Sequence, residues 1–172
     1  IQNGGGVYHG GGIHCSNSSP NLENMTITGN SSIVHGGGIY CENSSPTLSG
    51  VMISGNSATA NGGGIYCDNS SPSLDNVTIS NNNAYKGGGL HSMGSSDITF
   101  ENSIITGNTA TDKGGGIDIR ENGLTVINNS IISNNTAQRG GGFHSADANS
   151  SIITNSIISN NTAQRGGGLQ IQ

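Results

Sequence analysis

Apolar and polar residues recur along this chain with a spacing of about 26 residues. Runs of three glycines follow this spacing at seven positions, Gly10, Gly36, Gly62, Gly87, Gly114, Gly140 and Gly166, and one further run at Gly4 lies outside it. An apolar residue follows each run, and a second apolar stretch follows later in each repeat. A period of this size predicts a solenoid, in which each repeat forms one coil that packs on its neighbours.

The residues after each glycine run predict a first strand whose side chains alternate between two faces. The position of Ile39 is apolar in every repeat, so this column is predicted to form the core. The opposite face mixes aromatic, polar and acidic residues, so this second column is predicted to face water. Its members are His14, Tyr40, Tyr66, His91, Asp118, His144 and Gln170.

A second strand is predicted around an isoleucine that must point inward, because it is identical in six repeats: Ile27, Ile53, Ile79, Ile105, Ile132 and Ile158. Two residues later only glycine or asparagine occurs, which predicts a turn with left-handed backbone geometry. The next residue is always asparagine: Asn30, Asn56, Asn82, Asn108, Asn135 and Asn161. Stacked amides about 4.8 Å apart can hydrogen-bond along the axis, so we predict an asparagine ladder.

Coils of this kind stack through parallel, in-register strands, and the handedness of parallel crossovers predicts right-handed winding. The predicted fold class is therefore all-β, a right-handed parallel β-helix of the pectin-lyase-like kind. The predicted ranges are an irregular partial coil over residues 1–9, six coils over residues 10–165 and the start of a seventh over residues 166–172. We expect the sequence to be part of a longer protein, with ends that allow end-to-end stacking of copies.

The composition restricts the chemistry that this chain can carry. Only 9% of the residues are charged and 3% are aromatic, and the formal net charge is -5 at pH 7. Without the repeats this composition would indicate disorder. No cofactor, no nucleic-acid partner and no membrane span is predicted. The glycine runs are not predicted to bind phosphate, because a phosphate loop occurs once and leads into a helix.

The three cysteines Cys15, Cys41 and Cys67 occupy one inward column. We expect them to form a buried column of small side chains. A disulfide between neighbouring coils also fits the distance between stacked α-carbons, although it would leave one cysteine over. A metal site is not predicted, because a straight column does not supply tetrahedral ligands.

The residue before the glycine run is basic in four consecutive repeats, and these side chains are called the basic ridge: Lys86, Lys113, Arg139 and Arg165. Stacked like charges repel one another unless acids such as Asp112 or a bound anion compensate them. Two interpretations remain open for the ridge. It is either a solvated turn edge or a contact surface for an acidic polysaccharide or another anionic partner.

Candidate catalytic carboxylates are few. Glu23, Asp75 and Glu101 share one column, which Ser49 interrupts. Asp118 and Arg120 lie on one strand face and form the best isolated pair for acid–base chemistry. Because no long insertion builds a cleft, we expect no catalysis, and a polysaccharide-degrading enzyme is kept as an alternative.

The outward residues that flank the inward isoleucine form a regular, uncharged face. A flat array of hydroxyl groups on a β-helix can order water, so ice binding is an alternative function. Met52, Ile104, Ile131 and Ile157 interrupt the array. The residues predicted for ice binding are Thr26, Thr28, Ser54, Thr78, Ser80, Thr106, Ser133 and Ser159.

The runs ISNNTAQRGGGLQ and TGNTATDKGGGID resemble the repeats of chlamydial polymorphic outer-membrane proteins. Those repeats carry paired F-x-x-N and G-G-A-[ILV] motifs, and here Ile stands for Phe and Gly for Ala. The resemblance extends over all six coils and implies a secreted or surface-exposed segment that is adhesive or stalk-like. The leading prediction is therefore a non-catalytic extracellular or cell-surface module whose partner is a surface glycan or a host or cell-surface receptor.

Overall fold

The computed structural model describes residues 1–121, 123–146 and 150–172. Within these ranges 24 strands form four sheets, and every pairing between strands is parallel. Each strand pairs with its equivalent in the next coil, as Ile13 does with Ile39 and Ile39 with Ile65. These ranges contain no helix, and so no helix with the length and apolar character of a membrane span.

Sheets 1 and 3 contain the two strands that the sequence predicted. Sheet 1 follows the glycine runs and consists of β2 (Ile13–Ser16), β6 (Ile39–Glu42), β10 (Ile65–Asp68), β14 (Leu90–Met93), β18 (Ile117–Ile119), β21 (Phe143–Ser145) and β24 (Leu169–Ile171). Sheet 3 carries the isoleucine column and consists of β4 (Thr26–Thr28), β8 (Met52–Ser54), β12 (Thr78–Ser80), β16 (Ile104–Thr106), β20 (Ile131–Ser133) and β23 (Ile157–Ser159).

Two further sheets complete the coils. Sheet 2 consists of β3 (Asn21–Glu23), β7 (Thr47–Ser49), β11 (Ser73–Asp75), β15 (Ile98–Glu101), β19 (Leu124–Asn128) and β22 (Ser150–Thr154). Sheet 4 consists of β1 (Val7–His9), β5 (Ser31–His35), β9 (Ser57–Ala58), β13 (Asn83–Lys86) and β17 (Thr109–Lys113). Isolated bridges continue sheet 4 into the last coils, for example between Thr136 and Thr162.

Left-handed residues separate sheet 2 from sheet 3 and sheet 3 from sheet 4. The first position lies between sheets 2 and 3, where Asn24 has φ 50° and Gly50 has φ 62°. The second is the predicted Gly or Asn turn, where φ lies between 54° and 67° in all six repeats. Glycine and asparagine tolerate this conformation better than other residues, so the predicted turn is confirmed.

The interior is built from the predicted apolar and asparagine columns. Ile39, Ile53 and Ile79 are fully buried, as are their equivalents in the middle coils. Asn82 shows the ladder: its side-chain amide donates to Asn108 Oδ1 at 3.0 Å and to the Ile53 carbonyl at 3.0 Å. Its backbone amide also donates to Asn108 Oδ1, at 3.0 Å. The asparagine ladder is therefore confirmed, and it satisfies polar groups that would otherwise be buried without partners.

The glycine runs form the corner where sheet 4 leads into sheet 1, and two separate requirements exclude side chains there. The first glycine of each run has φ between 58° and 67°. The second has no room for a Cβ atom, which at Gly115 would lie 2.4 Å from the Gly141 carbonyl oxygen and 2.5 Å from that of Thr136. The predicted structural role of the runs, unusual backbone angles and close approach of stacked coils, is confirmed.

Candidate functional site

The basic ridge forms a straight column at the corner between sheets 4 and 1. Lys86 pairs in register with Lys113, and isolated bridges extend the column through Arg139 to Arg165. Neighbouring members are therefore one strand spacing apart, about 4.8 Å. Arg139 Nη2 lies 2.9 Å from Asp112 Oδ1, so this acid compensates part of the charge, as predicted.

In the first coils, the side chain before the glycine run folds across the run onto sheet 1. His9 stacks on Tyr40 with ring centroids 4.6 Å apart, and His35 stacks on Tyr66 at 4.4 Å. The run leaves space for these rings because it has no side chains of its own. Burial, together with the charge of His9, lowers the pKa of His35 to about 4.

The column that was predicted to face water is buried at its five middle members, so the prediction is wrong for them. At the two ends of the column His14 is exposed, as predicted, and Gln170 is half-buried. Tyr40, Tyr66, His91, Asp118 and His144 are each at most 7% exposed. They point away from the core, but His9 and His35 cover the two tyrosines and Arg120 lies over Asp118. Their rings also stack on one another along the axis, with centroids 5.2 Å apart for Tyr40 and Tyr66 and 5.5 Å apart for Tyr66 and His91. We call these five residues the buried polar column.

A carboxylate lies at the centre of three basic side chains in this column. His144 Nδ1 is 2.7 Å from Asp118 Oδ1, and Arg120 Nε is 3.1 Å from Oδ2. His91 Nδ1 lies 3.0 Å from Oδ2 but outside good hydrogen-bond alignment, so this contact is chiefly electrostatic. Burial raises the pKa of Asp118, and the contacts with His144, His91 and Arg120 outweigh burial and hold that pKa well below its usual range. Asp118 is therefore ionised.

A groove opens beside this cluster, and we call it the Arg120 groove. Its volume is about 250 Å³, and its lining residues are Asn61, Lys86, His91, Met93, Arg120 and Glu121. The backbone amide of Arg120 donates to the Ser92 carbonyl at 2.9 Å, which fixes the residue at the end of its strand. The Arg120 side chain is 18% exposed, whereas Asp118 beneath it is fully buried.

A second groove lies two coils further along the same corner, and we call it the twin-Arg groove. It has a volume of about 280 Å³ and is lined by Gln138, Arg139, Gln164 and Arg165. These residues come from the repeated segment that precedes the last two glycine runs. Both grooves thus lie along the basic ridge and present guanidinium and amide donors.

The corner carries an excess of positive charge within an acidic protein. All five Lys and Arg residues of the chain lie here, the four of the basic ridge and Arg120. The pKa of Lys113 is lowered by burial and then by the charges of Arg120 and Arg139. A bound anion would relieve this repulsion, because opposite charges at this distance favour the charged form of both partners.

The other predicted carboxylates lie on a different sheet and contact amides. Asp75 pairs in register with Glu101 and with Ser49, which gives the predicted column. Glu101 accepts hydrogen bonds from the Asn128 amide at 3.0 Å, and Asp75 accepts one from Asn102 at 2.9 Å. Glu23 lies in the same sheet, where the Asn21 amide donates to it at 2.5 Å.

The face predicted for ice binding is the outer face of sheet 3. Met52 and Ile104 stand in its first column and are 47% and 40% exposed. Four hydroxyl groups of the second column form two pairs along the axis. Ser54 Oγ donates to Thr28 Oγ1 at 3.2 Å, and Thr106 Oγ1 lies 3.1 Å from Ser133 Oγ. These hydroxyl groups therefore offer fewer free donors to water than the sequence suggests.

Cys15, Cys41 and Cys67 are free and buried, as expected for a column of small side chains. The neighbouring Cys41 sulfur, followed by burial, raises the pKa of the Cys15 thiol. A neutral thiol is a poor nucleophile and a poor metal ligand. Among the described residues no group of three or more His, Cys, Asp or Glu side chains is arranged to hold a metal ion.

Sequence reasoning identified Asp118 and Arg120 as a pair but missed His91 and His144. The signal was present in the repeat, because residues at the same position in consecutive coils are nearest neighbours. His91 pairs with Asp118 and Asp118 with His144 in the register of sheet 1. A His–Asp–His sequence down one column therefore predicts a charged cluster once the register is known.

Comparison with known families adds to this geometry. The family model described as a right-handed β-helix region matches residues 11–172. The chain belongs to the right-handed β-helix family. No curated protein and no solved structure matches it. Membership in the right-handed β-helix family confirms the predicted fold class and its handedness.

Proposed function

We propose that this right-handed β-helix is a non-catalytic extracellular binding module that holds an acidic polysaccharide along the basic ridge. The observation that carries the proposal is the concentration of every Lys and Arg residue at one corner, where both grooves also lie. The resemblance of the repeats to those of chlamydial polymorphic outer-membrane proteins supports a surface location. The adhesive role implied by that resemblance agrees with a glycan partner.

The spacing of the basic ridge suits an extended polymer with a charge on each residue. One cation follows another at about 4.8 Å along a straight line. A single exposed ion pair contributes only about 0.2 to 1 kcal/mol, so one contact would bind weakly. Several contacts to one polymer chain act together, because after the first contact the others become intramolecular.

The acids at this corner do not remove the positive charge that faces outward. Asp112 pairs with Arg139, and Asp118 is enclosed by its three basic neighbours. Glu121 lines the Arg120 groove and is exposed, but the same groove also carries two cations, Lys86 and Arg120. The outward residues of sheet 3 carry no positive charge that could attract an acidic polymer, and four of their hydroxyl groups already pair with one another.

Calorimetric titration with a length series of oligogalacturonates tests the proposal. We expect affinity to rise by about tenfold between the dimer and the tetramer, as two further ridge cations are engaged, and to level off beyond the length of the ridge. Added salt should weaken binding, since the contacts are partly exposed. Neutral maltooligosaccharides of the same lengths are the control. Equal binding of neutral and acidic oligomers, or no binding of either, would contradict the proposal.

A further inference from the structure

We infer that the Arg120 groove is a subsite for one carboxylate-bearing sugar residue, an inference that rests on the function proposed above. The basic ridge accounts for attraction of a polyanion along its length. The Arg120 groove has features that a simple charged edge lacks: an oriented guanidinium, a buried donor without a partner, and walls that differ in chemistry.

The guanidinium of Arg120 is held in place before any ligand arrives. Its Nε donates to both oxygens of Asp118, at 3.1 Å and 3.3 Å. Asp118 is itself fixed by His144 and His91 and is fully buried. A long side chain normally loses conformational entropy when a ligand orders it, and this loss reduces affinity. Here Asp118 already orders the guanidinium in the free protein, so less entropy is lost on binding.

One donor of the same guanidinium has no partner. Arg120 Nη2 is buried and makes no hydrogen bond within the described residues. Buried polar groups are nearly always paired, and those that are not call for an explanation such as a ligand. Because Nε is occupied by Asp118 and Nη2 is buried, an incoming carboxylate would meet the guanidinium from its Nη side. A small shift of the guanidinium toward the groove on binding would let Nη2 join Nη1 in two parallel hydrogen bonds to the carboxylate.

The walls of the groove fit a sugar ring with one acidic group. Lys86 and Asn61 come from two successive coils and add a second cation and an amide donor. Met93 and His91 provide an apolar and an aromatic surface for the ring. Glu121, held at φ 61°, supplies an acceptor for hydroxyl groups of the sugar. A volume of about 250 Å³ is smaller than typical sites for drug-sized ligands, which suits a single sugar residue.

Asp118 has a positioning role in this subsite. It contacts no ligand in the groove, since it is fully buried beneath Arg120. The sequence singled out Asp118 and Arg120 as a pair for acid–base chemistry. The geometry instead assigns Arg120 to binding and Asp118 to orienting it.

The test uses sodium galacturonate and follows the His91 ring and Arg120 Nε resonances of the whole chain by NMR. We expect weak, saturable shifts at both residues with galacturonate and none with galactose. In Arg120→Lys, which keeps the charge beside Asp118 but loses the fork, affinity should fall about tenfold. Arg165→Gln, which removes a ridge cation outside the groove, should leave these shifts unchanged. Arg120→Gln is a second variant, and thermal unfolding of both Arg120 variants verifies that they are folded.

Three results would overturn the inference. One is unchanged galacturonate affinity in folded Arg120→Lys, and another is equal shifts with a sulfated sugar such as galactose 6-sulfate, which would indicate a general anion site. The third is the absence of shifts with galacturonate while the longer oligogalacturonates still bind. That last result would contradict the subsite but not the proposed function. Absence of oligogalacturonate binding would contradict the proposed function itself.

Discussion

Gly115→Ala is expected to destabilise the protein by about 3 kcal/mol, the upper end of the usual cost of overpacking. The added Cβ would lie 2.4 Å from the Gly141 carbonyl oxygen and 2.5 Å from that of Thr136. Both atoms belong to backbone of the next coil, so no side chain can move aside to relieve the overlap. The coils would have to separate, which breaks hydrogen bonds such as that from the Gly115 amide to the Gly140 carbonyl. Urea unfolding followed by circular dichroism measures this loss.

Gly55→Asn is the matched control for that prediction. Gly55 also has positive φ, at 62°, but a Cβ there meets only Thr28 Oγ1 at 4.0 Å. Asparagine already occupies the equivalent position at Asn81, so the substitution should change the free energy of unfolding by less than about 1 kcal/mol. If Gly115→Ala cost no more than Gly55→Asn, the close contact between coils would not be the reason for the second glycine.

Asp118→Ala is expected to cost about 3 to 5 kcal/mol of unfolding free energy. The carboxylate is fully buried and contacts His91, His144 and Arg120. Its removal leaves three basic side chains close together in a buried site with no acid to compensate them. Chemical denaturation at neutral pH measures the effect, and Asp118→Asn should lose less, because it keeps an acceptor.

Asp112→Ala tests whether burial is the cause of that loss. Asp112 pairs with Arg139 at 2.9 Å, but the two side chains are 13% and 35% exposed. An ion pair that is partly hydrated contributes about 1 kcal/mol or less. Equal costs for Asp118→Ala and Asp112→Ala would show that the buried cluster is not held by its carboxylate.

The repeat made most of the fold predictable. Because consecutive coils place equivalent residues next to each other, an invariant column such as Asn30 to Asn161 indicates both its location and its bonding. The Gly or Asn exchange at Gly55 and Asn81 indicated left-handed backbone for the same reason. Each column thus shows which residue types are accepted at one position of the coil, because its members occupy equivalent places in successive coils.

The burial of the polar column was not predictable in this way. A mixed column of Tyr66, His91 and Asp118 looks like a surface when its members are judged by residue type. Its cover comes from a different part of the coil, as His35 shows by stacking on Tyr66. That contact depends on how sharply the chain bends at the glycine run, which the pattern of apolar and polar residues does not record.

One part of the candidate site was predictable from the sequence and the other part was not. The basic ridge followed from one repeated position, and its register is as predicted. The Arg120 groove combines residues from four positions of the repeat, including those of Asn61, His91 and Arg120. A contact between residues of different columns can be predicted only if the angles at which the coil bends are known. The sequence therefore indicated the pair of Asp118 and Arg120 but not the groove beside it.

Binding of polygalacturonate to a ridge variant is the most direct test of the proposed function. The variant changes Lys86, Lys113, Arg139 and Arg165 to Ser, and a control of equal net charge instead carries four aspartates on sheet 3, at Thr26, Thr28, Thr78 and Ser133. We predict that the ridge variant loses salt-sensitive binding and that the control retains it. Unchanged binding by the folded ridge variant, or equal loss in the control, would contradict the account.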